Sequence, residues 1–333
     1  MNRAVPAIPT LAEIEAEVAR RAMPDEFLIP IQFDANVVDS IRQRMHAKLP
    51  AGDADDLPEL VRLASRLEPS TRRAFELAVE RAKDRTVLDA LAEAVRTGRP
   101  EQAEAALDVL GMAEDVRAAM RSQILQGLGL GARVGAGATA GAVSVSTSFD
   151  LINAHAVEWA ANRSAEFVTA ISETARMSVR ELVADSLAGE RDVRATARLL
   201  RDVLGLRPDQ VGAVANFRDR LAEQGLSAEL VDGRTERYAR AQLRRRGLLV
   251  ARTEVLDAAN EGQQALWREA KNQGMLRGDE RRVWIVTDDD RLDEEVCEPL
   301  DGETASLDGP FPGGYFRPPA HPNCRCTTGL VIR

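Results

Sequence analysis

The sequence predicts a mainly α fold ending in a small α+β C-terminal subdomain: a helical body, a long amphipathic helix and short terminal strands. Three observations carry this. Aromatic residues make up only 4% of the 333 residues, so the core must rest on Ala, Leu and Val, as in helix packing. Apolar residues recur at three- and four-residue spacing over most of the chain. After Gly274 that pattern gives way to two short β-type runs separated by turn residues.

In chain order, residues 1–9 form a Pro-containing lead. Leu11, Ile14 and Val18 have helical spacing. Residues 24–36 hold short apolar runs broken by Pro24 and Pro30, and AGDADD at 51–56 has loop composition. Helical stripes then follow: Leu60, Leu63 and Leu67; Phe75, Ala78, Val79 and Ala82; Leu88, Leu91 and Val95. Gly98 takes the C-cap role before Pro100, and a further helix is expected over about 101–125. This gives a helical N-terminal region, 1–126, to which no role is assigned.

Residues 127–148, GLGLGARVGAGATAGAVSVSTS, contain six glycines. Glycine at that density is entropically costly in a helix or strand, so the segment reads as a Gly/Ala-rich hinge or linker. A small-residue segment packing closely against a partner is the competing reading, and Arg133 weakens a membrane version of it. Helices resume over about 154–187 and 192–204. Pro208 opens another that ends near Gly225, consistent with Pro in a first turn. A long amphipathic helix is expected from about Thr235 to Lys271. Residues 149–274 are thus helical, and 275–333 form the β-containing subdomain, with strands at Val283–Val286 and Gly329–Ile332.

The 44% hydrophobic and 29% charged shares describe an ordinary soluble chain. No signal-peptide pattern and no spanning helix is expected, so membrane contact is not anticipated. The net charge of -9 is unevenly spread. Seven arginines against Glu236 give residues 234–252 a local +6, whereas twelve carboxylates against three arginines give 279–308 a local -9. Three cysteines are too few for a secreted disulfide framework.

Four sets of residues invite chemistry. Cys297, His321, Cys324 and Cys326 form a Cys3His set that suits a closed structural zinc site. Packing alone, or a disulfide involving Cys297, are the alternatives. The acidic run Asp288, Asp289, Asp290, Asp293, Glu294 and Glu295 lacks a calcium-loop pattern and reads as a solvated face. Arg237, Arg240 and Arg244 share one helix face, next to Arg245; this face can neutralise the phosphates of double-stranded DNA or remain a salt-bridged surface. Ser146-Thr147-Ser148 resembles the STS element of ADP-ribosyltransferases, but no E-x-E follows it. There is no GxSxG, Walker loop or HExxH. His46 and His155 read as surface or packing histidines. No catalytic residue, small-molecule substrate or cofactor beyond zinc is expected.

Taken together, ARTEVLDAANEGQQALWREA at 251–270, VWIVTDDDRLDEEVCEPLDG at 283–302 and PPAHPNCRC at 318–326 resemble the C-terminal domain of phage head morphogenesis (minor capsid) proteins, the Mu F-like family. Thr196 to Leu221 resembles the region upstream. The matched positions are Arg252, Thr253, Glu254, Asn260 and Gly262 on the helix. Beyond it they are Trp284, Asp290, Cys297, Leu300, Gly302, His321, Pro322, Cys324, Arg325 and Cys326. Many members read C-x-x-C where this chain reads CEPLDG, which leaves Cys297 alone there. The resemblance implies a non-enzymatic virion protein in few copies, near the portal vertex of the head and in host cytoplasm during assembly. Portal protein, other head proteins and DNA would be its partners. Arg252, Glu254, Asn260 and Trp284 would then be structural, with Arg252 and Glu254 as a buried pair. A metal-dependent hydrolase or nuclease is the alternative from another class.

Overall fold

The computed structural model describes residues 57–138, 145–188, 192–289 and 291–331, with the backbone alone over 145–156. The readings made above for residues 1–56, His46 and Asp290, and for the His155 side chain, lie outside these residues.

Helices α1 (Glu59–Ser65), α2 (Glu68–Arg85), α3 (Leu88–Arg96), α4 (Pro100–Ala106), α5 (Val109–Ala138), α6 (Val145–Leu187), α7 (Val193–Val203), α8 (Pro208–Glu223) and α9 (Ala228–Asn272) precede strands β1 (Arg281–Ile285), β2 (Thr304–Ser306) and β3 (Thr327–Val331). The sheet is antiparallel with order β2-β1-β3. The expected class, mainly α with a small α+β end, is what is found. The helix expected over 101–125 is two helices. Asp108 breaks the run with φ 51°, and its carboxylate accepts from the Gly111 amide at 3.1 Å. Strand β2 escaped the sequence reading because three residues, exposed-buried-exposed, carry no measurable alternation.

Local signals set the boundaries. Asp192 accepts from the Ala195 amide and so caps α7. Pro208 starts α8 where its missing N–H costs nothing. Ser227 accepts from the Leu230 amide and caps α9, which ends at Gly274 in the left-handed region (φ 72°).

One apolar cluster runs through the helical body: Phe75 and Val79 of α2, Leu91 of α3, Met120 of α5, Val179 of α6, Leu199 of α7, Val214 of α8 and Trp267 of α9. It continues to Leu307 and Leu330 beside the sheet. Each such side chain contributes about 1.5–3 kcal/mol on burial.

Residues 127–138, expected as part of a hinge or linker, are instead helical and largely buried in α5. The reason is steric. A Cβ on Gly131 would stand 1.8 Å from the Ala259 carbonyl oxygen, and one on Gly262 would stand 2.0 Å from the Leu128 carbonyl oxygen. A Cβ on Gly127 would lie 2.9 Å from Ala258. The glycines therefore let α5 and α9 cross backbone to backbone. Burial of the α9 crossing outweighs the roughly 1 kcal/mol that each glycine costs a helix. Trp267 donates its indole N–H to the Gly135 carbonyl at 3.1 Å and ties the same crossing. Residues 139–144 of the expected hinge lie outside the described residues.

Candidate metal centre and its clasp on the long helix

Two segments bring the cysteines together. Cys297 follows Asp293, whose carbonyl accepts the Cys297 amide at 2.8 Å. Cys324 and Cys326 come from the turn that enters β3. Asn323 adopts φ 68° there, which Asn tolerates better than most residues. All three thiols are buried and free. Their sulfurs lie within 4.8 Å of one another, and Cys297 Sγ is 3.7 Å from Cys324 Sγ. A disulfide needs about 2.05 Å. A tetrahedral zinc with Zn–S of about 2.3 Å sets its sulfurs about 3.8 Å apart, so the 3.7 Å edge fits zinc.

His321 Nε2 stands 3.0 Å from Cys297 Sγ, and its Nδ1 stands 2.9 Å from the Pro322 carbonyl. A proton on Nδ1, donated to that carbonyl, would leave the Nε2 lone pair toward Cys297 Sγ, the tautomer a metal requires; the ligand atoms within 4.8 Å of one another are those of the three cysteines. Cys324 Sγ accepts from the Cys326 amide at 3.3 Å. Hydrogen bonds from Cys297 and Cys326 hold the Cys324 thiol well below its ordinary range. The hydrogen bond with Cys324 pushes the Cys297 thiol up to about 12, and its bond with Cys297 pushes Cys326 up as well. The surroundings are dry. Trp284 is 0% exposed and meets Phe311 edge-on at 5.1 Å; Leu300 and Ala305 complete the cluster. The Trp284 indole N–H is buried with no hydrogen-bond partner.

The Cys/His turn is pinned to α9 by the residues singled out on that helix. Asn323 donates its amide to Thr253 Oγ1 at 3.1 Å, and Arg252 donates to Asn323 Oδ1 at 3.2 Å. Asn260, 0% exposed, donates to the Cys326 carbonyl at 3.4 Å and accepts from Thr327 Oγ1 at 3.0 Å. Arg252 and Glu254 are not a pair, as was expected of them. Arg252 reaches Glu68 at 3.4 Å, while Glu254 takes two bonds from Arg163 of α6 at 2.8 and 2.9 Å. Positions 252 and 254 are two residues apart, so they point to different sides of a helix.

An ionic chain that the sequence reading missed completes the clasp. Arg163 also meets Asp257 at 3.2 Å; Arg317 meets Asp257 at 2.8 Å and Glu261 at 3.2 Å. Its signal was legible as carboxylates at 254, 257 and 261 on one helix face, but their arginines come from distant segments. Burial holds the Glu254 and Asp257 carboxyls above the usual range, and their arginine partners offset only part of that. Arg282 was missed too. It is 0% exposed and donates to the carbonyls of Ser306, Phe316 and Gly309, with its guanidinium over the Phe311 ring. Burial lowers its pKa to about 10.

The arginine face lies elsewhere, on the first half of α9. Arg237, Arg240, Arg244 and Arg245 are exposed. Arg240 pairs with Glu236 at 2.7 Å. Arg246 turns inward, donates to the Gly205 carbonyl at 2.7 Å, and is lowered by burial to about 10. In the acidic run, Asp289 pairs with Arg325, and Asp293 accepts the amides of Glu295 and Val296 at 3.0 and 2.9 Å. Asp289 is thus engaged with the terminal turn, and Asp293 with its own local turn.

The pairing of an R-T-E…N helix with a terminal HPNCRC turn is therefore a physical contact. Residues 213–329 match the family described as Phage Mu protein F like protein. Over these residues, about a third of the chain, the protein is similar to the Mu F-like family. The match begins within α8, so residues 196–212 of the stretch read as similar lie outside it. The match supports a relation to phage head morphogenesis proteins. No curated protein and no solved structure matches the chain. Among the described residues no helix is long and apolar enough to cross a membrane.

Proposed function

We propose that the chain is a non-enzymatic minor head protein that acts at the portal vertex in head assembly and in DNA packaging or delivery. The observation that carries this reading is the Mu F-like match over 213–329, whose two motif segments meet as one structural unit. Portal protein is the expected neighbour. The exposed arginines 237, 240, 244 and 245 supply a face of the right sign for double-stranded DNA, and α9 presents them at helical spacing.

The cysteine–histidine set takes one structural zinc through Cys297, His321, Cys324 and Cys326. Zinc there would fix the turn that seats Asn323 and Cys326 on α9. With four protein ligands no coordination position stays open for a reacting water, which favours a structural role over a hydrolase or nuclease.

The test is peptide quantification of this chain in purified phage particles before and after DNA release. A few copies per particle are expected, and their loss with the DNA would add a part in delivery. Absence from particles, together with metal-dependent cleavage of DNA by the purified chain, would overturn the reading in favour of the nuclease.

A further inference from the structure

Away from the cysteine site, α1 and α5 enclose an open groove of about 760 Å³. Leu63, Leu125 and Leu130 form its floor; Arg66, Arg121 and Arg133 are exposed around it. A groove with an apolar floor and a cationic rim suits an amphipathic helix whose apolar stripe is flanked by carboxylates.

We infer that the groove is the docking site of Thr10–Arg20 of this same chain. That stretch reads TLAEIEAEVAR. At about 100° per residue, Leu11, Ile14 and Val18 fall within an arc of about 60°, and Glu15 and Glu17 flank it on opposite sides. The apolar stripe would cover the leucine floor, and the glutamates would meet the arginine rim. Connectivity permits this. The 56 residues preceding the described part join it at Leu57, two residues before α1, which itself lines the groove. The 36 residues from 21 to 56 are ample to reach back. Docking would lay an N-terminal segment over the outer face of α5, whose inner face crosses α9, and so link the chain's start to the helix that carries the Mu F-like motif.

The experiment is amide hydrogen exchange on the full chain, comparing the native protein with three variants: Arg66→Glu/Arg121→Glu/Arg133→Glu, Glu15→Arg/Glu17→Arg, and the two sets combined. The native chain is expected to protect amides of residues 11–20 at least about tenfold. Either charge reversal alone should abolish that protection, and the combination should restore it. If the groove variant fails to fold, Ile14→Asp must abolish the protection by itself. No protection in the native chain would overturn the docking, as would protection indifferent to the groove arginines. Protection that grows with chain concentration alongside a dimeric mass would give the groove to a second copy and overturn it too.

Discussion

The two halves of α9 obey different rules. From Ala228 to Val250 the helix buries one stripe, including Val231, Thr235, Ala239, Leu243 and Gly247, and turns its arginines outward except Arg246. From Glu254 to Trp267 every residue is buried. That second half is nonetheless rich in polar groups: Glu254, Asp257, Asn260, Glu261, Gln263 and Gln264. A helix buried all round is ordinarily apolar. Here Arg163, Arg317, Cys326, Thr327 and Leu307 supply partners from other segments. The difference teaches that the second half is a hub whose polar residues specify what packs on it. The first half is a surface whose charges remain available. Breaking the hub should cost stability, whereas stripping the surface should not.

The largest effect is expected at the glycine crossing. Gly131→Ala forces its Cβ into the Ala259 carbonyl and should destabilise by ~3 kcal/mol or more. Gly137→Ala in the same helix meets nothing within 4 Å and should stabilise by about 0.5–1 kcal/mol. Urea unfolding of both variants reads the contrast, and equal shifts would remove the backbone-to-backbone crossing as their cause. Next comes Asn260→Ala, which strands Thr327 Oγ1 and the Cys326 carbonyl in the core. A loss of about 2 kcal/mol is expected.

A smaller effect appears in pH dependence. Asp257 is held above its unfolded value, about 3.9. A carboxyl raised on folding contributes stability that is present below the unfolded pKa and is lost as pH rises through the folded one. Asp257→Asn should therefore flatten the decline in stability above about pH 4. An unchanged slope would show that its arginines cancel its burial. The smallest effect on stability belongs to the outer half. Replacing Arg237, Arg240 and Arg244 with Ala should change stability by no more than about 0.5 kcal/mol. It should also lower the salt slope of DNA binding by up to about three phosphate contacts' worth. A steep unfolding penalty would move these arginines into the hub.

Much of this contrast could be read from the sequence. The arginine run and the Gly274 stop were legible because spacing and residue chemistry carry them locally, whereas R-T-E…N and HPNCRC were linked only by the family resemblance and their contact came from the fold. The glycine segment was misread because its cost is local while its compensation, the α9 backbone, lies more than a hundred residues away. The partners of Glu254 were misassigned for the same reason: Arg163 is invisible from the motif. Strand β2 exists by pairing with β1 rather than by any pattern of its own. Of the cysteine site the sequence named four residues; the fold draws the three cysteine sulfurs within 4.8 Å of one another, with His321 Nε2 3.0 Å from Cys297 Sγ.

The clasp of the terminal subdomain on the buried half of α9 is tested most directly by native mass spectrometry of the full chain, paired with hydrogen exchange over residues 252–264 and 318–331. One zinc per chain is expected. Its removal by a chelator, or Cys324→Ser, should raise exchange in both segments together. A metal-free chain with both segments fully protected would contradict a zinc-held clasp and leave packing alone to hold the subdomain.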